Sequence, residues 1–205
     1  MKKIVLLLTV MLASISASAQ MTDDFESNQF GWTESTGKRG MAIIKDGVMH
    51  LESKAGGKEK GRTKGINSTC YAPLDFSKPF ILSVEALAKK IDDDRIFGIL
   101  LDYEDDQNYM LFFICEGEAN LEIVREDKVI GRKQEALKLK KGKKIGVEFE
   151  VEYKLNELIF KVNGVRAMEY RRKIGKDEFM LGTSGIGFYA RGGQIIDFDN
   201  LKIMQ

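Results

Sequence analysis

The 205-residue chain has two prolines, two cysteines and one histidine, and no apolar run reaches the ~18 residues that a membrane span needs. With so little proline there is no Pro-rich linker, and neither an internal repeat nor a low-complexity tail is present. The lone His50 has no Ser or Cys nucleophile motif beside it, which argues against a catalytic triad and a zinc-ligand cluster. It falls at the polar parity of its strand and is expected at the surface. Charge of neither sign prevails: the 32 basic residues, less Lys2 and Lys3, leave 30 against 31 acidic ones beyond residue 19. That balance argues against a nucleic-acid partner.

What is present begins with a targeting pattern. Lys2 and Lys3 precede the apolar run Ile4 to Leu12, and small residues follow to Ala17-Ser18-Ala19. This reads as a secretory signal peptide over residues 1–19, cleaved before Gln20, in a style that suits bacterial export. No Cys lies there to take a lipid, so the rest is expected to be soluble, secreted or periplasmic. Residues 20–205 suit a single domain. Cys70 and Cys115 would meet an oxidising compartment and are the candidates for a disulfide, with two buried thiols as the alternative.

Along the chain, strand-like runs are separated by turn signals. Asp46-Gly47 sits between Ile43-Ile44-Lys45 and Val48-Met49-His50-Leu51, and Asn163-Gly164 is a second such turn. Ser53 to Gly65, glycine-rich and basic, reads as an exposed loop. Phe97 to Leu101 and Tyr109 to Ile114 are apolar at both parities and read as central strands covered on both faces. Ile145 to Tyr153 alternates, with Ile145, Val147, Phe149, Val151 and Tyr153 on one face and Glu148, Glu150 and Glu152 on the other. A tight turn after it pairs Tyr153 with Leu158, Val151 with Phe160 and Phe149 with Val162. Gln134 to Lys144, the best helix candidate, reads better as strand and turn. Gly185 to Arg191 and Gln194 to Ile203 flank Gly192-Gly193 as a closing hairpin. The pattern predicts an all-β, antiparallel sandwich or barrel.

Four stretches and the chain's end carry a resemblance. They are D-D-F-E-S with F-G-W behind it, K-D-G-V-M-H-L, D-Y-E-D-D-Q-N-Y-M-L-F, and V-E-F-E-V-E-Y with F-K-V-N-G-V, closed by G-I-G-F-Y-A and D-F-D-N-L-K-I. Together they resemble the concanavalin A-like lectin/glucanase superfamily, which includes laminin-G-type domains. The resemblance implies a jelly-roll β-sandwich of two packed sheets. The opening is also similar to that of some jelly-roll carbohydrate-binding modules, which implies a glycan partner. In such a fold Asp197-Phe198-Asp199-Asn200 is expected beside Asp23-Asp24-Phe25-Glu26, and Asp24, Glu26, Asp199 and Asn200 become candidate ligands of a structural calcium ion.

Glycan binding needs aromatic faces with polar neighbours, since sugars present C–H faces ringed by hydroxyls. The candidates are Tyr103, Tyr109, Tyr189, Arg95 and Arg191, whereas Trp32 beside Gly31 is expected in the core. Anionic polysaccharide is a further thought raised by the basic runs Lys138 to Lys144 and Arg171-Arg172-Lys173, against which stands a reading as solvated turns. The laminarinase and lichenase branch of the resembling superfamily carries catalytic carboxylates at alternate positions of one strand, as Glu, Asp, Glu. Glu148, Glu150 and Glu152 match it except at the centre. The competing reading is a solvated face on which Glu150 pairs with Lys161 and Glu148 meets Asn163. The leading expectation is therefore an exported, non-catalytic carbohydrate-binding protein. The alternatives are a glycoside hydrolase on the same fold and a cell-envelope structural or interaction domain.

Overall fold

The computed structural model describes residues 20–55, 58–59, 62–63, 65–89, 95–137, 139, 145–171 and 181–205. The signal sequence, the run Lys138 to Lys144 apart from Leu139, and Arg172-Lys173 lie outside them. Among the described residues every regular element is a strand. In chain order they are β1 (Gln20–Asp23), β2 (Ser35–Gly37), β3 (Gly40–Lys45), β4 (Val48–Ser53), β5 (Lys58–Glu59), β6 (Arg62–Thr63), β7 (Ile66–Tyr71) and β8 (Phe80–Ala88). Then follow β9 (Ile96–Asp105), β10 (Asn108–Cys115), β11 (Glu118–Arg125), β12 (Lys128–Ala136) and β13 (Ile145–Tyr153). The last are β14 (Glu157–Val162), β15 (Val165–Arg171), β16 (Gly185–Arg191) and β17 (Ile195–Met204).

They form two antiparallel sheets packed as a jelly-roll β-sandwich. One has nine strands, ordered β15-β14-β13-β8-β17-β4-β3-β2 with β1 beside β17, and the other six, ordered β12-β11-β10-β9-β16-β7. β5 and β6 pair as a small separate hairpin within the segment expected to be loop. The two-residue turns follow from residue type. Asp46-Gly47 and Asn163-Gly164 hold positive φ at both positions (52° and 72°, 52° and 71°), as a turn matched to strand twist requires.

Alternation along the strands builds one interior. Val147, Phe149, Val151 and Tyr153 of β13 face Phe97, Phe112, Ile99 and their neighbours across the sandwich. Aromatic rings tie the two layers, Phe112 packing on Phe149 at 5.7 Å and on Phe160 at 4.5 Å between centroids. A second group, Phe25, Trp32, Phe188 and Phe198, closes the other end, with Trp32 stacked on Phe188 at 5.0 Å. Trp32 is a core residue, as expected. The predicted β13–β14 register is observed pair for pair, Glu150 opposite Lys161 included.

Several expectations are corrected. β16 and β17 are not a hairpin, because they belong to different sheets, and Gly192-Gly193 (φ 78° and 76°) turns the chain from one layer to the other. β17 does meet the start of the domain, but with Asp23 opposite Leu201, so Asp197 and Phe198 lie between β4 and β8 and Asp199 beside β8 instead. His50 is buried, at 8% exposure, because its outer-face position lies between Ile43 of β3 and Asp197 of β17, and its Nδ1 sits 2.6 Å from Asp197 Oδ1. No disulfide joins Cys70 and Cys115. Cys70 packs in the sandwich interior from β7, whereas Cys115 packs on the outer side of β10, with β16 and β9 between the two strands. Three strand spacings of ~4.8 Å exceed the reach of a disulfide. Burial, with the charge of Asp23 adding to it, pushes the Cys70 thiol up to about 12.

Candidate glycan-facing surface

The outer face of the six-stranded sheet is apolar where a solvated sheet is polar. Ile96, Leu100, Leu111 and Phe113 form a buried cluster separate from the interior, with Tyr103, Tyr109, Tyr189 and Cys115 packed against it. This explains why β9 and β10 are apolar at both parities: one parity fills the sandwich and the other floors an outer surface.

Register places the side chains of this face in rows. One row crosses the sheet as Asn67, Tyr189, Gly98, Phe113, Asn120 and Gln134. The next reads Thr69, Gly187, Leu100, Leu111, Glu122 and Arg132. Gly98 and Gly187 thus put two positions without side chains beside Tyr189, both buried against their neighbours. A Cβ at Gly98 would lie 2.1 Å from the Phe112 carbonyl oxygen, and one at Gly187 2.5 Å from that of Ser68, so the sheet itself excludes side chains there.

Polar groups rim this surface. At the tip of the β9–β10 hairpin, Asp106 Oδ1 accepts from Tyr103 Oη at 3.1 Å and from Asn67 Nδ2 at 3.2 Å. Since Asn67 belongs to β7, two strands from β9, the hairpin leans over β16 to reach it. Arg39 approaches the same carboxylate at 3.7 Å. Burial first, and Asp106 second, pushes the Tyr103 phenol up to about 12, so it remains a hydrogen-bond donor at neutral pH. Burial also raises Tyr189, against the opposing effects of Arg191 and of the Gly65 backbone, both of which bond its hydroxyl. Across the sheet Glu122 receives Arg132 at 2.6 Å. Asp102, buried at the β9 bulge with φ 49°, accepts from Arg125 and from the backbone N–H groups of Gly182 and Thr183, anchoring the approach to β16.

All five residues singled out for ligand contact come to this face or its end. Tyr103, Tyr109 and Tyr189 lie on the apolar floor. Arg191 pairs in register with Ile96, and Arg95, one residue earlier, donates from Nη1 to the Gly193 carbonyl at 2.7 Å. The sequence does not reveal Asn67, Asn120, Gly98 and Gly187 as their neighbours, since those come from strands far apart in the chain.

The other candidates lie on the nine-stranded sheet. Glu150 receives Lys161 at 2.5 Å, and Glu152 receives Lys154 at 2.8 Å with Lys161 also near at 3.6 Å. Lys154 foremost, with Lys161, holds the Glu152 carboxyl below its usual range, the opposite of what a general acid needs. Glu148 is different: it stands directly across from Glu85, with Asp199 next in the same row.

The four proposed calcium ligands do not form a fitting donor set. Asp24 accepts from the Glu26 backbone N–H at 3.3 Å, and Glu26 lies over the β3–β4 turn at Gly47. Asp199 accepts from the Asn200 N–H at 2.7 Å, while Asn200 gives its amide to Glu85 at 3.3 Å. Among the described residues no group of three or more His, Cys, Asp or Glu is placed to hold a metal. Calcium needs six to eight oxygens.

No known protein family matches the sequence, and no curated protein does either. Solved structures match over most of the chain. A Bacillus subtilis protein with a galectin-like fold shares 12% identity over 90% of this chain and 94% of its own, at TM-score 0.61. The carbohydrate-binding module CBM66 of Bacillus subtilis shares 14% over 88% and 99%, at 0.54. A laminarinase from a Flavobacterium species shares 13% over 90% and 99%, at 0.58. The likeness is one of fold, a galectin-like jelly-roll sandwich that serves both carbohydrate-binding modules and glycoside hydrolases.

Proposed function

We propose that this chain is an exported, non-catalytic carbohydrate-binding protein that holds a glycan on the outer face of its six-stranded sheet. One observation carries the reading: three half-buried tyrosines meet on one outer face, over the apolar floor of Ile96, Leu100, Leu111 and Phe113 and within a rim of Asn67, Asp106 and Arg191. Tyrosine faces receive the C–H side of a sugar ring, and the rim amides and phenols receive its hydroxyls. The solved carbohydrate-binding structures of the same fold support the class of ligand. Export rests on the targeting pattern of residues 1–19.

The test is binding of the purified mature protein to a panel of polysaccharides, with and without a calcium chelator. We expect retention on at least one polysaccharide, insensitive to the chelator, and weakened roughly tenfold by Tyr189→Ala or Tyr103→Ala, the scale of one aromatic contact. Absence of binding throughout would overturn the reading.

A glycoside hydrolase is the second reading, and the Glu85–Glu148 juxtaposition favours it. Directly opposed residues place their Cβ atoms ~4.5–5.5 Å apart, close to the ~5–5.5 Å between carboxyl groups of retaining enzymes. Release of reducing sugar from any member of the panel, lost in Glu148→Gln, would transfer the assignment to it.

A further inference from the structure

We propose that Tyr71 is a second platform for the glycan, so that the face recognises a chain of several consecutive sugars rather than a single terminal one; the proposal rests on the carbohydrate-binding reading above. Tyr71 ends β7 at the parity of Asn67 and Thr69, so its side chain belongs to the outer face of the six-stranded sheet. It is 69% exposed, and among the described residues it is the one aromatic side chain that stands mainly in water. Tyr103, Tyr109 and Tyr189 pack on the apolar floor, and Tyr103 and Tyr189 commit their hydroxyls to protein partners. Tyr71 has no such ties: among the described residues no hydrogen bond, ion pair or ring contact holds it.

A single exposed apolar side chain is ordinary. This one is set apart by what stands with it and by how firmly it is placed. Thr69, two residues back on the same face, has its Oγ1 3.1 Å from Thr33 Oγ1 at the exposed edge of the sheet. The next position on that face, Asn67, gives its amide to Asp106 at the β9–β10 tip. An aromatic ring, a pair of hydroxyls and an amide–carboxylate bridge therefore follow one another along β7 at ~6.6–7 Å intervals. A flat ring receives the C–H side of a sugar, and the polar groups receive its hydroxyls. Asn67 is in register with Tyr189, so this line joins the tyrosine floor. Tyr71 stands about 13 Å from that row, four residues of strand, which is longer than one sugar ring and within the span of a short chain.

The backbone that carries Tyr71 is fixed on both sides. Within the sheet it pairs with Gly185, and the Ala72 N–H donates to the Ser184 carbonyl at 2.9 Å. At the outer edge the Thr33 N–H donates to the Thr69 carbonyl at 2.9 Å, and Ser68 Oγ donates to the Thr33 carbonyl at 2.8 Å. A tyrosine on a fixed backbone has only two side-chain torsions to settle on binding, which suits a contact residue. Both platforms belong to one sheet, so the second contact is intramolecular once the first is made, and affinity rises with chain length.

The experiment measures affinity of the purified mature protein for laminari-, manno- and xylo-oligosaccharides of two to six sugars and for their parent polymers. Expected is at least tenfold tighter binding of six sugars than of two in the series that binds, the scale of one aromatic contact. Y71A should abolish most of that gain, and Y71F, which keeps the ring, should retain it. V165A, at a side chain 67% exposed on the opposite sheet, should keep the gain and so controls for loss of exposed apolar surface. Y71T, with a strand-forming residue, reads the same loss should Y71A unfold. Equal affinity for two and six sugars, a gain unchanged in Y71A, or equal losses on short and long chains would overturn the proposal while leaving carbohydrate binding in place. Altered sedimentation of Y71A with the oligosaccharide series unmoved would assign Tyr71 to a protein contact instead and overturn it too. No binding of any oligosaccharide or polymer would overturn both readings.

Discussion

The buried carboxyl group of Asp23 accepts from two donors at once, the Trp32 indole Nε1 at 2.7 Å and the Phe25 backbone N–H at 2.9 Å. Phe25 sits at φ 55°, a conformation that costs a non-glycine residue energy and is held here by that bond. These residues lie in the D-D-F-E-S and F-G-W stretches, which together form a small buried polar knot beneath stacked aromatics. Replacing Asp23 by Ala would strand both donors in the core, at about 1–3 kcal/mol each. We expect D23A to lower stability by about 2–4 kcal/mol, measured as a shift of the urea midpoint at constant slope. In the W32F background, where one donor is already gone, the same substitution should be milder. Equal losses in both backgrounds would show that the indole bond contributes nothing.

At the scale of elements, β13 and β14 were the most legible part of the chain. Period-2 alternation in Ile145 to Tyr153 and the Asn163-Gly164 turn specify faces and register, and Glu150 lands opposite Lys161 as that register demands. Lys161 lies between Glu150 and Glu152, and Glu150 foremost raises its pKa above the ordinary 10.5, while Lys154 and Lys161 lower that of Glu152 below 4.5. A raised Lys stabilises the fold below its unfolded pKa and stops doing so as pH climbs through the folded value. A lowered Glu stabilises above its unfolded pKa and stops as pH falls through the folded value. The ladder therefore contributes between those limits. K161M should lose about 0.5–1 kcal/mol at pH 7, typical of partly exposed pairs, and the difference from the parent should shrink as pH falls below 4.5. A difference independent of pH would assign the loss to packing of the lysine stem. β12 and the burial of His50 were not legible in the same way. Lys128 to Ala136 is exposed along nearly its whole length and offers no alternation to read. His50 owes its burial to Asp197, 147 residues away, whose position only the closed sheet reveals.

For the molecule as a whole, the sequence pattern specifies strands, while their order depends on pairings between distant segments. β17 shows this most plainly. It was expected as half of a hairpin with β16, yet it is an interior strand of the nine-stranded sheet, pairing with β8 on one side and with β4 and β1 on the other. Phe198, Leu201 and Ile203 are all buried, with Leu201 opposite Asp23 and Ile203 opposite both Met21 and Leu82. Removing its second half would leave β1 without a partner and expose part of the edge of β8. It would also remove two large buried apolar side chains, Leu201 and Ile203, at about 1.5–3 kcal/mol each before any lost hydrogen bond is counted. A stable domain holds only about 5–15 kcal/mol in total. A chain ending at Asn200 should therefore fail to give the near-ultraviolet circular dichroism of packed aromatics, even though β2 to β16 and the whole candidate face are unchanged in sequence. The glycan binding proposed for that face should disappear together with that signal. Binding retained by the truncated chain would mean that the six-stranded sheet holds its shape without the sheet behind it, contrary to a sandwich whose aromatic rings join the two layers.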